Sequence, residues 1–339
     1  MNTNDLILDP IYFEEAARKL GFASATIIEK DFWVVWVLNQ LFSEKEWSKS
    51  LVFKGGTSLS KVFQLINRFS EDIDLTVARS ALGLEIPMND LVSFGSKQKK
   101  RFFEELDNKL DQYIKTLVQQ LQDRFSSLLP QRNLWRLYID PNDPSVVYFE
   151  YPRALKQYGH PATSYIKPRI ILEFGSRGAV SPVVSQSINS YVKVAFPNLT
   201  LHTLNKINIL SAERTFWEKV TLLYMICKQP PEKSIKPALA RHYYDLTMML
   251  NNNIGKKAVQ ETALLKDVIE QKQFFFKNSW INYNHILSEG IQLVPNTEKL
   301  KIIANDYHNM HEMFFDEPPS FNIIIDTLLT LETRINESI

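Results

Sequence analysis

Two short runs hold the residues best suited to chemistry: Lys54-Gly55-Gly56-Thr57-Ser58-Leu59 and Arg68-Phe69-Ser70-Glu71-Asp72-Ile73-Asp74-Leu75. Ile73 to Val77 reads as a strand, and side chains two apart in a strand share a face. Asp72 and Asp74 then stand together, with Ile73 and Leu75 turned towards a core. Neighbouring carboxylates repel, and one is driven towards protonation unless a cation intervenes. A divalent metal removes that penalty, and two ions about 4 Å apart can bind a triphosphate and activate an attacking hydroxyl. Mg²⁺ suits such a place, because it takes a few carboxylates plus substrate phosphate oxygens; Mn²⁺ is the alternative.

Gly55-Gly56 comes first in the chain. There are only 10 glycines, so an adjacent pair is conspicuous. It follows the apolar run Leu51-Val52-Phe53 and precedes a helical stretch from Thr57 to Ile66. Two residues without Cβ let a phosphate approach the backbone amides there, and a helix N-terminus adds favourable partial charge. The Thr57 and Ser58 hydroxyls can cap that helix or donate to the phosphate. Each half alone has a plainer meaning: Asp-x-Asp is most often a solvated turn or strand end, and Gly-Gly a turn. Fifteen residues separate Gly56 from Asp72, which describes strand, turn, helix and strand, with a phosphate loop beside metal carboxylates.

Other elements must position these runs. A helix is expected over residues 10–21, with Pro10 in its first turn and Gly21 at its end, and another from Thr26 to Leu41. A long polar-apolar helix fits Asp90 to Leu129. From Trp135 to Phe196 the texture is strand-like, in Val146 to Phe149, Ile170 to Leu172 and Val192 to Phe196. Helical spacing returns after Leu204, with a loop at Lys228 to Lys236 around Pro230-Pro231. The domain boundary is placed near 205, giving residues 1–205 and 206–339.

The totals exclude several classes. The 339 residues are 45% hydrophobic and 23% charged, an ordinary globular composition. A net charge of +1 supplies no global field for nucleic acid, so such binding needs a local patch. Cys227 is the only cysteine, which excludes an intrachain disulfide and fits a reducing compartment. The N-terminus lacks the basic and apolar regions of a signal peptide, and Phe32 to Leu38 is too short to span a bilayer. A cytoplasmic protein without a membrane partner is expected.

The two runs, taken together, resemble the signature of the AbiEii/AbiGii-type toxin nucleotidyltransferases, within the DNA polymerase beta-like nucleotidyltransferase superfamily. Glu29-Lys30-Asp31-Phe32-Trp33, Glu213 to Lys219 and Arg241-His242-Tyr243-Tyr244-Asp245-Leu246 resemble further family segments, so the likeness covers roughly residues 25 to 250. The superfamily's commoner Gly-Ser is Gly-Gly here, and either Thr57 or Ser58 supplies the hydroxyl. The resemblance implies an α+β fold, a mixed nucleotidyltransferase sheet with flanking helices, plus a helical C-terminal domain. It implies NTP and Mg²⁺ as ligands and RNA as acceptor, with tRNA one candidate and a protein side chain another. It also implies the toxin of a toxin–antitoxin or phage-defence (abortive infection) pair, with a DNA-binding antitoxin encoded alongside.

The superfamily also carries a third carboxylate on a later strand, and Glu173 is the candidate, as metal ligand or acceptor of the hydroxyl proton. A carboxylate in so apolar a strand needs a metal or an ion pair, and Arg169 or Arg177 could supply the latter. Lys219 lies on an apolar helix face with Phe216, Leu222 and Leu223. Either it reaches NTP phosphates, as the resemblance implies, or its stem packs while its amine meets water. Asp245 either orients Lys219 or contacts nucleotide, or it pairs with Arg241 one turn away. His242 reads as structural. Arg68 either steadies phosphate or makes a structural ion pair. Glu71 should point away from Asp72 and Asp74. The cluster Lys97 to Arg101 could grip RNA phosphates, although a solvated helix face is the commoner meaning. The tryptophans, including Trp33, Trp36 and Trp217, fit a core.

The expected activity is transfer of a nucleotide from an NTP, with pyrophosphate released. Two rivals remain open: a metal-dependent phosphohydrolase or nuclease using the same carboxylates, and an inactive binding protein that regulates a partner. The 6 histidines form no metal-binding pattern that would favour the former.

Overall fold

A computed structural model of the protein describes residues 9–129, 134–155, 167–201 and 204–339. The chain forms two compact units. The first comprises Met1–Val62, Phe69–Pro87 and Ser93–Ile209; the second comprises Phe63–Arg68, Met88–Val92 and Leu210–Ile339.

The first unit is built on a mixed sheet with strand order β3-β4-β5-β2-β1-β7-β6. The strands are β1 (Leu51–Lys54), β2 (Asp72–Val77), β3 (Arg136–Ile139), β4 (Val146–Glu150), β5 (Ile170–Gly175), β6 (Val183–Ile188) and β7 (Leu204–Leu210). At its centre β2 runs antiparallel to β1 and parallel to β5. Alternation turns Phe53, Ile73, Leu75, Val147, Phe149, Ile170 and Leu172 to one buried face. Helix α2 (Ala25–Ser43), after the shorter α1 (Pro10–Leu20), packs its aromatics on that face: Trp33 and Trp36 lie 5.8 and 5.9 Å from the Phe149 ring. Phe125, from a later helix, lies 4.9 Å from the same ring.

Local chemistry explains where the elements begin and end. Asp9 Oδ1 accepts from Ile11 N to start α1, and Gly21 at φ 75 closes it. Helix α3 (Lys45–Ser50) leads into β1, and α4 (Gly55–Lys61) follows it. The helical stretch expected to reach Ile66 stops at Lys61, and Gln64 takes a positive φ of 52 soon after. The single helix expected from Asp90 to Leu129 is two: α5 (Met88–Val92), which belongs to the second unit, and α6 (Ser96–Leu128). Gly95 caps α6, its N–H donating to Gln98 Oε1 at 3.1 Å. The strand expected over Val192 to Phe196 is a short helix, α7 (Tyr191–Ala195). There the Ser190 hydroxyl accepts from Lys193 N at 3.2 Å, and that cap outweighs the β preference of the valines.

The second unit is helical: α8 (Ala212–Lys228), α9 (Ala240–Leu250), α10 (Asn253–Gln260), α11 (Thr262–Phe275), α12 (His285–Glu289), α13 (Thr297–Asn309) and α14 (Phe321–Ser338). Lys299 on α13 is buried and donates to the Ile226 and Gln229 carbonyls, satisfying orphan acceptors at the end of α8. The early segment Phe63–Arg68 is stitched into this unit, with Asn67 N donating to the Tyr244 hydroxyl at 3.2 Å and Arg68 bridging to Phe314. At Gly255 a Cβ would lie 2.4 Å from the Met249 carbonyl oxygen and 2.5 Å from Leu250 Cα. Gly255→Ala should therefore lower stability by about 1–3 kcal/mol through overpacking against backbone. Urea denaturation checks this; an unchanged midpoint would rule out that close approach. No helix among the described residues is long and apolar enough to cross a membrane.

Candidate active site

The second face of the sheet carries the carboxylates. Asp72 and Asp74 project from β2 on the side opposite Ile73 and Leu75. Strand register aligns Lys54, Asp74 and Glu173 in one row across β1, β2 and β5. Glu173 is exposed, so strand alternation accounts for a carboxylate in this apolar strand. The two arginines proposed as its partners are engaged elsewhere: Arg177 donates to both Asp107 oxygens at 2.7 and 2.8 Å, and Arg169 lies over the Tyr148 ring. Gly178 passes close by, where a Cβ would lie 3.0 Å from Lys54 Nζ and 2.7 Å from Thr76 Oγ1.

Gly55 makes the site possible. Its φ is 81, and a Cβ there would lie 1.8 Å from Asp74 Oδ2. The carboxylate occupies the space any other residue's side chain would need. Thr57 and Ser58 are fully buried and serve this turn internally. Thr57 Oγ1 donates to the Asp72 carbonyl at 2.5 Å, and Ser58 Oγ donates to the Gly55 carbonyl at 2.8 Å. The hydroxyls tie the glycine turn to the carboxylate strand.

Sequence reasoning gives Glu29 no role and leaves Lys30 and Asp31 as either active-site neighbours or a helix-face pair. All three are buried on α2 and each holds a different part of the first unit. Glu29 Oε1 accepts from Ala154 N at 2.6 Å; Lys30 donates to Glu71 and to the Lys167 carbonyl. Asp31 binds Lys61 Nζ at 2.6 Å and accepts from Tyr191 N at 2.6 Å. Burial pushes the Asp31 carboxyl up, while Lys61 and the Tyr191 amide oppose the shift. Three consecutive buried charges beside an aromatic run were the available signal. Glu71, paired with Lys30, takes no part in the carboxylate face.

A second cluster lies within the second unit. Arg68 Nε and Nη2 donate to Asp245 Oδ1 and Oδ2 at 2.7 and 2.8 Å, and Lys219 Nζ donates to Oδ2 at 2.8 Å. Burial alone would raise the Asp245 pKa, but the two cations together hold it well below the ordinary carboxylate range. Asp245 therefore takes Arg68 and Lys219 as partners, in place of its helix neighbour Arg241. Lys219 is 7% exposed, so its amine does not reach out to water.

His242 Nδ1 lies 3.2 Å from Lys219 Nζ, which makes Nδ1 the acceptor and the ring neutral. Burial, then the charges of Lys219 and Arg241, push its pKa well below 6.5. The residue is half-buried, and the neighbouring cations oppose protonation in addition to burial. A lowered folded value means the unfolded chain binds the proton first, so stability falls as pH drops below about 6.5. His242→Asn should remove up to about 1 kcal/mol per pH unit of that slope between pH 6.5 and 5, read by urea titrations. An identical slope in the variant would contradict a neutral ring.

Among the described residues no three His, Cys, Asp or Glu side chains are grouped closely enough to hold a metal by themselves. Asp72 and Asp74 on one face still fit Mg²⁺, which binds through one or two carboxylates and completes its shell with water and phosphate.

A family model described as "Nucleotidyl transferase AbiEii toxin, Type IV TA system" matches residues 36–329. The chain belongs to the AbiEii family. It is a nucleotidyltransferase and the toxin member of a type IV toxin–antitoxin system, which implies an antitoxin partner. No curated protein matches it. The solved structure of the nucleotidyltransferase toxin MenT4 from Mycobacterium tuberculosis H37Rv is similar over 94% of this chain and 99% of its own, with 15% identity and a TM-score of 0.42. In this AbiEii chain the family match takes in Gly55-Gly56, Asp72, Asp74, Glu173, Lys219 and Asp245, and leaves Glu29, Lys30 and Asp31 before its start.

Proposed function

We propose that the protein transfers a nucleotide from an NTP to an RNA hydroxyl, with Mg²⁺ bound by Asp72 and Asp74. The close approach of Asp74 to Gly55 carries this reading, because it sets a carboxylate against a backbone turn free of side-chain bulk. The acceptor oxygen attacks the α-phosphorus, the bond from that phosphorus to the bridging oxygen breaks, and pyrophosphate leaves. Glu173, exposed on the same face, takes the hydroxyl proton. Gly55 and Gly56 face the phosphates through their backbone, since the neighbouring hydroxyls are committed to the turn. Mg²⁺ held by Asp72 and Asp74 would supply charge neutralisation and would lower the pKa of an attacking hydroxyl. A cytoplasmic location, a DNA-binding antitoxin and a part in abortive infection complete the reading.

The test incubates the protein with Mg²⁺, each of the four α-³²P NTPs and total cellular RNA, beside Asp74→Ala. Label in RNA with the intact protein alone is expected. Label on protein would redirect the acceptor to a side chain, and a folded sample that neither labels nor binds NTP would end the proposal.

A further inference from the structure

The carboxylate face of the sheet continues beyond β5. A second cross-strand row, parallel to Lys54–Asp74–Glu173, runs Asp72, Ile171, Tyr148, Tyr138 across β2, β5, β4 and β3. Neighbouring strands lie about 4.8 Å apart, which sets Tyr148 about 10 Å and Tyr138 about 14 Å from Asp72.

Both rings are held in place. The Tyr138 hydroxyl donates to Glu150 Oε1 and the Tyr148 hydroxyl to Asp140 Oδ2, each at 2.9 Å. Their centroids are 5.5 Å apart. Arg136 lies 4.7 Å from the Tyr138 centroid and Arg169 lies 4.1 Å from that of Tyr148. Arg136 has a carboxylate, Glu150, at 3.8 Å. Arg169 differs: among the described residues its buried Nε has no hydrogen-bond partner. A guanidinium over a fixed tyrosine ring, with an Nε that has no partner among the described residues, matches the needs of a nucleotide unit. The ring offers a surface to a base and the cation a contact to phosphate.

We propose that Tyr148, Tyr138 and Arg169 form the acceptor subsite, which takes the 3′ end of single-stranded RNA. The terminal bases stack along the tyrosine row, Arg169 contacts a phosphate between them, and the 3′ hydroxyl is led towards Asp72 and Asp74. This rests on the RNA-transfer reading above. It gives the acceptor a path along the sheet, separate from the basic run Lys97 to Arg101, whose Lys100 pairs with Glu104 in the solvated manner of a helix surface.

The test measures anisotropy of a short 5′-fluorescein single-stranded RNA with a free 3′ hydroxyl on the full chain, with NTP affinity measured by calorimetry on the same samples. Tyr148→Leu, which keeps apolar bulk but removes the ring, should weaken RNA binding about tenfold and raise KM for RNA, with NTP affinity unchanged. Tyr148→Phe should stay within about twofold of the unaltered protein, since the ring is what stacks. Arg169→Gln should reduce the slope of log K against log salt by about 0.7. Tyr148→Leu protein that binds NTP normally and RNA as tightly as before would overturn the subsite alone. Unaltered protein that binds NTP yet neither binds RNA nor labels it would overturn the RNA acceptor and the subsite together, leaving nucleotide transfer standing.

Discussion

Gly55→Ala should reduce nucleotide transfer by about a hundredfold or more, although it adds a single methyl group. That methyl would sit 1.8 Å from Asp74 Oδ2, so either the carboxylate or the turn must move by more than an ångström. Displacement of a reacting group by about 1 Å is enough for losses of this size. The backbone adds a second penalty, since alanine at φ 81 costs about 1–2 kcal/mol that glycine does not. The two effects separate in a double variant. Asp74→Ala removes the atoms in the way, so Gly55→Ala should destabilise that background less than it does the unaltered protein, by the strain of the clash. Equal destabilisation in both backgrounds, or full activity in Gly55→Ala, would show that Asp74 does not occupy the space above Gly55.

Asp245→Asn should give the largest loss of stability, about 3–5 kcal/mol at neutral pH. The substitution keeps the shape of the side chain but removes the anion shared by Arg68 and Lys219, which are 2% and 7% exposed. Two buried cations would be left facing each other, and breaking a buried pair from one side costs this much. The pH dependence gives a second check. Asp245 has a depressed folded pKa, so its contribution is complete above the ordinary carboxylate value of about 4 and is lost as pH falls towards its folded value. The gap between variant and parent should thus persist from pH 8 to about 5 and narrow in stronger acid. Removing one cation as well, in Lys219→Met/Asp245→Asn, should restore part of the stability. A variant that melts with its parent at pH 7 would show that the charges are not buried together.

The glycine turn, the carboxylate strand and the helices around them were legible because their signals are local. Periodicity and spacing show that Asp72 and Asp74 share a face, and Gly21 marks a helix end. Other features depend on partners far away in sequence. Nothing near Glu173 indicates that it stands beside Asp74, since that pairing is set by the register of β2 with β5. Arg68 sits four residues before Asp72, which invites a catalytic reading, yet its partner is Asp245. Glu29, Lys30 and Asp31 look like an ordinary charged helix turn until the partners that bury them are known. The helix at Tyr191–Ala195 was hidden by its valines, because one serine cap outweighed their strand preference.

The charged turn of α2 has a consequence for timing. On the ribosome Glu29 and Lys30 emerge early, but Ala154 follows Glu29 by 125 residues and Lys167 follows Lys30 by 137. Asp31 waits 160 residues for Tyr191, and Arg68 waits 177 for Asp245. At synthesis rates of about 5–20 residues per second, these distant partners follow on the order of ten seconds later, whereas Lys61 for Asp31 and Glu71 for Lys30 are made sooner. Until then the helix that anchors the sheet has only part of its buried ion pairs and hydrogen bonds. A chain cut short in its middle therefore carries every atom of the glycine turn and the Asp72–Asp74 pair without the means to fix them. Several of the contacts that fix the first unit are therefore made well after the glycine turn and the carboxylates.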